Sequence, residues 1–392
     1  MNREFLGYRR SNGQIGIRNY IVVISTVACS NSAAQKIAQL TNTIPITHEL
    51  GCVESEEDYQ RTVLSLTRAG QHSNVGGVLV VGNGCEQVSA EDVARNIAST
   101  GKPVEYVLIQ EEGGMPETIA KGITLVKHIQ EVVMAQKRVP CSVRDLIVAV
   151  QCGGSDWTTA LSGNTTLGSM TDLIVNGGGT VFMSEVGGLP GSEHILSERA
   201  VNREVALEIL KMVEELRAEY KSRYGQNIEE VNPTPGNKAG GITTLVEKSM
   251  GNIKKAGTVP VQGILKLGDS ASDPGLWIID CRVQGPDTFT LSAFAVQGAH
   301  ITVFNTGRGT PAGSAIMPVI KVTGNPNTYK KLNSIIDFNA GNVIEGKKTI
   351  AEAGASLYEH LLDVANGKLT KSELNGNFEF VIPRETARKI KA

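Results

Sequence analysis

Residues 20–40 read YIVVISTVACSNSAAQKIAQL. The β-branched run Tyr20–Thr26 predicts a strand, and Ser30–Leu40 predicts a helix capped by Ser30 or Asn31. The same pairing repeats outward from this point. Thr43–Thr47 is a second short strand and Glu54–Ala69 its helix. Val75–Val81 is a third strand, followed by the helix Ala90–Ser99, and Val104–Ile109 a fourth, followed by Pro116–Gln136. Regular alternation of this kind predicts an α/β fold with a parallel, doubly wound sheet covered on both faces.

Lys137-Arg138-Val139-Pro140 reads as a boundary, which divides the chain into α/β domains at 1–140 and 141–392. The second opens with the strand Leu146–Val150. Further strands are expected at Thr180–Ser184, Gly275–Asp280 and Ile301–Asn305. Helices are expected at Leu167–Val175, Arg199–Tyr220, Ile242–Lys255, Thr288–Gly298 and Ile350–Asn366. The polar, proline-bearing segment Arg223–Gly241 reads as an ordered loop.

The 392 residues suit two or three domains, and 41% hydrophobic with 20% charged residues is ordinary for a globular protein. A net charge of −2 and 5% aromatics give no support to nucleic-acid or membrane-surface binding. The N-terminus lacks the apolar core of a secretory signal, and no apolar run is long enough to span a bilayer, so a cytoplasmic protein is expected. In a reducing compartment, cysteines serve as thiols or metal ligands more often than as disulfides.

Cys29, Cys52, Cys85 and Cys152 each fall at or just past the end of an expected strand. Ligands of open parallel sheets bind outside those strand ends, so these thiols are candidates for one metal centre. Such a set suits Fe2+, an iron–sulfur cluster or another divalent metal. Each is equally readable as a small buried apolar residue. Cys141 and Cys281 lack the full pattern.

His48 stands at the second strand end and can serve as base or ligand; Glu86 directly follows Cys85 and is a candidate base, or a support behind a metal ligand. In Gln151-Cys152-Gly153-Gly154-Ser155-Asp156, Ser155 and Asp156 are candidates for holding substrate hydroxyls, or the turn is simply capped by Asp156. Lys238, in a Gly-rich approach to an expected helix, and Arg308, between two glycines after Asn305, are candidates for gripping a carboxylate. Ala28-Cys29-Ser30-Asn31 has no glycine, which counts against a nucleotide-binding rival.

Taken together, GYRRSNGQIGIRNY (7–20), ACS (28–30), GC (51–52), NVGGVLVVGNGCE (74–86), QCGGSD (151–156) and NGGGTVFMSE (176–185) resemble the altronate/galactarate dehydratase family. So do GSEHILSERAVNREV (191–205), NPTPGNKAGGITTLVEKSMG (232–251), TGRGTPAG (306–313) and DFNAG (337–341). The resemblance covers nearly the whole chain. It implies iron-dependent β-elimination of water from a sugar acid or related hydroxy-carboxylate, giving a 2-keto-3-deoxy acid. Single-chain family members carry a small N-terminal β-rich domain before the GYRR block, whereas this chain begins almost at that block. The resemblance therefore implies a large catalytic subunit whose small β-rich companion is separate or absent, and a homo-oligomer. The same arrangement occurs in relatives resembling sulfolactate sulfo-lyase, which expel sulfite. Around His48–Glu54, after Glu185 and at Asn305 the sequence departs from the sugar-acid pattern, in loops expected to touch substrate. Release of sulfite, or sugar-acid binding without catalysis, are the alternative readings.

Overall fold

The computed structural model describes residues 4–281, 286–382 and 384. Strands β1 (Glu4–Arg9) and β2 (Ile15–Gly16) open the chain as an antiparallel pair. Strands β3 (Tyr20–Ser25), β4 (Ile44–Ile46), β5 (Val75–Gly82) and β6 (Val104–Leu108) form a parallel sheet in the order β4-β3-β5-β6. Each is followed by a helix, as the alternation at 20–40 predicts. Ser55 and Ser89 cap the helices Glu56–Gln71 and Ala90–Ala98 through their side-chain oxygens.

Strand β7 (Val139–Ser142) then returns to pair antiparallel with β1, setting Glu4 opposite Ser142. The expected boundary segment thus contributes to a three-stranded sheet, β2-β1-β7. Beyond it lie β8 (Ile147–Cys152), β9 (Thr180–Met183), β10 (Val261–Lys266), β11 (Gly275–Asp280), β12 (Ile301–Asn305), β13 (Val319–Thr323) and β14 (Phe338–Asn339). These make a seven-stranded, wholly parallel sheet ordered β10-β11-β9-β8-β12-β13-β14.

Both parallel sheets reverse their winding direction: between β3 and β5 in the small one, between β8 and β12 in the large one. Such reversals open a crevice at the carboxyl ends of the flanking strands. One face of the small sheet buries Val23, Leu79 and Val81 against Ile37, Val126 and Ile129 of its helices. The other face joins Val22, Ile24, Val78 and Val80 to Trp277, Phe294 and Phe304 of the second unit in one apolar cluster. The two units therefore share a core. Hydrogen bonds also join them, with Asn74 Nδ2 donating to His300 O at 2.9 Å and to Ile316 O at 3.1 Å.

Candidate functional site

Three of the four singled-out cysteines sit on loops at the carboxyl end of the small sheet. Cys29 follows β3, Cys52 follows β4 and Cys85 follows β5. Backbone bonds stitch these loops together: Ala28 N donates to Leu50 O at 2.8 Å, and Gln87 N to Gly51 O at 3.1 Å. Gly51 is wedged in at φ +106°, where a Cβ would meet Thr26 O at 2.3 Å. Its neighbour Val53 holds φ +56° with the side chain fully open to solvent. A β-branched residue there is strained, a condition that concentrates at functional loops. Cys29 and Cys85 are exposed and Cys52 half-buried.

His48 lies beneath this loop, 3% exposed, with Nε2 lacking any partner. Burial, reinforced by the nearby Arg384 guanidinium, lowers its pKa to about 4, so the ring is neutral at pH 7. Arg384 also reaches Glu54 Oε1 at 3.1 Å. Glu86 is differently occupied. Its oxygens accept from the backbone N–H groups of Asn83, Gly84 and Cys85 and from Thr26 Oγ1. That pattern fixes the Cys85 loop rather than presenting a free base.

Cys152 departs from the expected convergence. It is buried at the end of β8, in contact with Glu185 Oε2 at 3.2 Å, Lys255 Nζ at 3.3 Å and Asn252 Oδ1 at 3.3 Å. Lys255 Nζ lies 2.8 Å from Glu185 Oε2. Burial alone would lower the Lys255 pKa, but Cys152 and Glu185 outweigh it and the net shift is upward. Burial would raise Glu185, but Lys255 and Lys248 outweigh it and hold the carboxylate down. Burial and then Glu185 push the Cys152 thiol up. The trio is thus ammonium, carboxylate and neutral thiol. Among the described residues no three His, Cys, Asp or Glu side chains stand together as an ion-holding set.

A cleft of about 740 Å³ opens over this trio at the carboxyl ends of the large sheet. Gln151, Glu185, Lys248, Asp287 and Arg308 line it. Glu185 sits at φ +69°, a left-handed conformation that few residues other than glycine adopt. Asp287 begins the helix Asp287–Val296 and rests over Gly153, where a Cβ would stand 2.4 Å from both carboxyl oxygens. Burial, then the Glu185 carboxylate, raise its pKa to about 6. Gln151 Oε1 is buried without a partner.

The remaining candidates divide. Arg308 lines the cleft and donates to Gly236 O at 3.1 Å. Lys238 is exposed and does not line the cleft, because residues 235–239 are themselves a short helix capped by Thr234. Asp156 proves to be the cap of its turn: Oδ1 accepts from the N–H groups of Thr158 and Thr159, and Oδ2 from Asn325 at 2.8 Å. Ser155 Oγ is buried and unpartnered, in a smaller pocket of about 250 Å³ that shares Cys152 and Lys248 with the cleft. Asn305 is fully buried, donating to Asn164 Oδ1 at 2.9 Å.

Sequence reasoning did not single out Glu185, Lys248, Lys255 or Asp287. Glu185 and Asp287 follow β9 and β11 by a few residues, the same strand-end signal that pointed to the cysteines. The lysines lie at 245–256, a segment with no strand-end signal.

Residues 143–388 match the family "D-galactarate/Altronate dehydratase, C-terminal". Residues 7–134 match "D-galactarate dehydratase/Altronate hydrolase, second domain". The chain is 34% identical to the altronate dehydratase of Bacillus subtilis (strain 168), over 97% of this chain and 78% of that protein. It is 35% identical to the (2R)-sulfolactate sulfo-lyase subunit beta of Chromohalobacter salexigens, over 97% of each. It is 31% identical to the galactarate dehydratase (L-threo-forming) of Escherichia coli (strain K12), over 93% of this chain and 73% of that protein. The chain belongs to the D-galactarate/altronate dehydratase family. It is an enzyme of the carbon–oxygen lyase kind.

Proposed function

We propose that the protein removes water from a small sugar acid or related hydroxy-carboxylate by β-elimination, giving a 2-keto-3-deoxy acid. The observation that carries this is the cleft over β8, β9, β11 and β12. It sets the cations Lys248 and Arg308 beside two carboxyl groups in different states. Elimination needs an anchor for the substrate carboxylate and separate groups for the α-proton and the leaving oxygen. Arg308 and Lys248 supply the anchor. Asn305 and Asp156 keep the strand-end turns in place, and Ser155 offers a hydroxyl from the adjoining pocket.

Iron is proposed on the family resemblance, with Cys29, Cys52 and Cys85 on their stitched loops as the candidate thiols and His48 beneath them, although these side chains do not stand together as an ion-holding set in this structure. Cys152 is left out of the set, its thiol being engaged by Lys255 and Glu185. Bound iron would supply Lewis-acid polarisation of a substrate oxygen.

A second reading, expulsion of sulfite from a sulfonated hydroxy acid, is favoured by the 97% mutual coverage with the sulfo-lyase subunit. That relative is named as one subunit of an assembly, which supports a small companion chain here. The test is incubation with altronate, galactarate and sulfolactate, with and without Fe2+, reading keto acid and sulfite separately. Copurification from the native host reads the companion. Turnover of none of the three acids under any of these conditions overturns the proposal.

A further inference from the structure

The cleft holds two carboxyl groups, and the chain treats them oppositely. Glu185 is ion-paired to Lys255 at 2.8 Å and lies 3.8 Å from Lys248. Among the described residues no lysine or arginine pairs with Asp287. It takes a hydrogen bond from Gln151 and faces the Glu185 carboxylate, with Lys248, Lys255, Arg308 and Lys321 as the cations of its surroundings. Two carboxyls whose environments push them apart mark an acid and an ionised partner.

We infer that Asp287 is the proton donor to the departing β-hydroxyl, an assignment that rests on the elimination proposed above. Hydroxide is a poor leaving group, so the oxygen must gain a proton as its bond to carbon breaks. The α-C–H electron pair becomes the carbon–carbon double bond of an enol, and the α-proton passes to Glu185. The β-C–O pair stays on oxygen, which takes the Asp287 proton and leaves as water. The enol then tautomerises to the keto acid, while Glu185 loses its proton to solvent and Asp287 regains one.

Placement supports this role as much as charge does. Asp287 is set by the first turn of its helix, against the bare backbone of Gly153. Gly153 does not hold a left-handed φ, so the missing Cβ serves the carboxyl rather than a turn. Gly153→Ala would displace the acid without removing it.

The experiment compares the unaltered chain with Asp287→Asn and Gly153→Ala on the sugar acid it turns over, in H2O and D2O, with thermal unfolding to confirm that each variant folds. The expected result for Asp287→Asn is a kcat reduced about 10²- to 10⁴-fold with KM nearly unchanged. The fall in rate on the alkaline side of the pH profile disappears, and α-hydrogen exchange with solvent continues. Gly153→Ala should lower kcat less and move that limb. Full elimination by Asp287→Asn overturns the inference. So does joint loss of elimination and exchange with substrate binding retained, which would make Asp287 the base. An unaltered chain that releases only sulfite also overturns it. Absence of any turnover by the unaltered chain instead brings down the proposed function, and is visible before any variant is made.

Discussion

The Nζ of Lys255 lies 2.8 Å from Oε2 of Glu185, with the lysine side chain wholly shielded from solvent. Removing one member of such a pair strands the other charge in a low-dielectric setting, at a cost of about 3–5 kcal/mol. Lys255→Met should therefore destabilise the fold by that amount in urea titration. Adding Glu185→Gln should restore part of it. Equal stability of the single variant and the unaltered chain would show that the pair is far more hydrated than its burial indicates.

Asp287 gives a stability test opposite in sign to its effect on rate. Its folded pKa of about 6 lies above the ordinary carboxylate value of 3.8, so the folded chain holds the proton more tightly than the unfolded one. Stability from this group is present below pH 4 and is lost as pH rises through 6. Asp287→Asn should raise the melting temperature at pH 7–8, by a free energy on the order of 3 kcal/mol. At pH 4 the two proteins should melt together.

Two histidines at the junction of the units should make the protein acid-labile. His72 Nδ1 accepts from Asn74 N at 3.1 Å while Nε2 meets Ala299 O at 3.0 Å. His300 Nδ1 accepts from Ile147 N at 3.1 Å. A proton added at either Nδ1 would confront a backbone N–H already pointing there. Burial lowers their pKa values to about 3 and about 4, with the His300 ring, Lys102 and Arg10 as the neighbouring charges of His72 and Asp145 as that of His300. Folded values below the unfolded 6.5 mean stability that is full above pH 6.5 and declines as pH falls. Melting temperature should drop between pH 7 and pH 5, and less so in a His72→Gln variant.

Thiol chemistry separates the cysteines. Cys29 and Cys85 should alkylate within minutes, while Cys152, buried with its pKa raised, should react only on unfolding. Iron should protect the first two and leave Cys152 unchanged, and Cys29→Ser with Cys85→Ser should lower the iron bound per chain. Retained iron in that double variant would remove these thiols from the metal site.

The small sheet was fully legible in the sequence because each of its strands is a short run followed by a helix; Ser55 and Ser89 cap two of those helices, whereas the expected cap at Ser30 makes no side-chain bond to its helix. The large sheet was legible only where that rule holds. Strand β13 follows β12 after thirteen residues with no helix between them, so no alternation announces it. Strands β1 and β7 pair across 130 residues, and EFLGYR looks like a polar leader until its partner is known. At the site, the strand-end rule located the thiols and Arg308. It said nothing of the ion pair that claims Cys152, because Lys255 belongs to a helical segment a hundred residues away. Asp156 and Glu86 illustrate a different limit: a carboxylate that caps a turn and one that moves a proton have the same letter, and only their hydrogen-bond partners tell them apart.

Phe294, Phe304 and Trp277 lie in one cluster with Val22, Ile24 and Val78, so the two family modules, recognisable separately in sequence, are a single thermodynamic object. Neither could be excised without baring a sheet face, and 143–388 expressed alone should aggregate. A cut near residue 136 should leave both fragments associated and active. Whether made as one chain or two, the modules must therefore fold together.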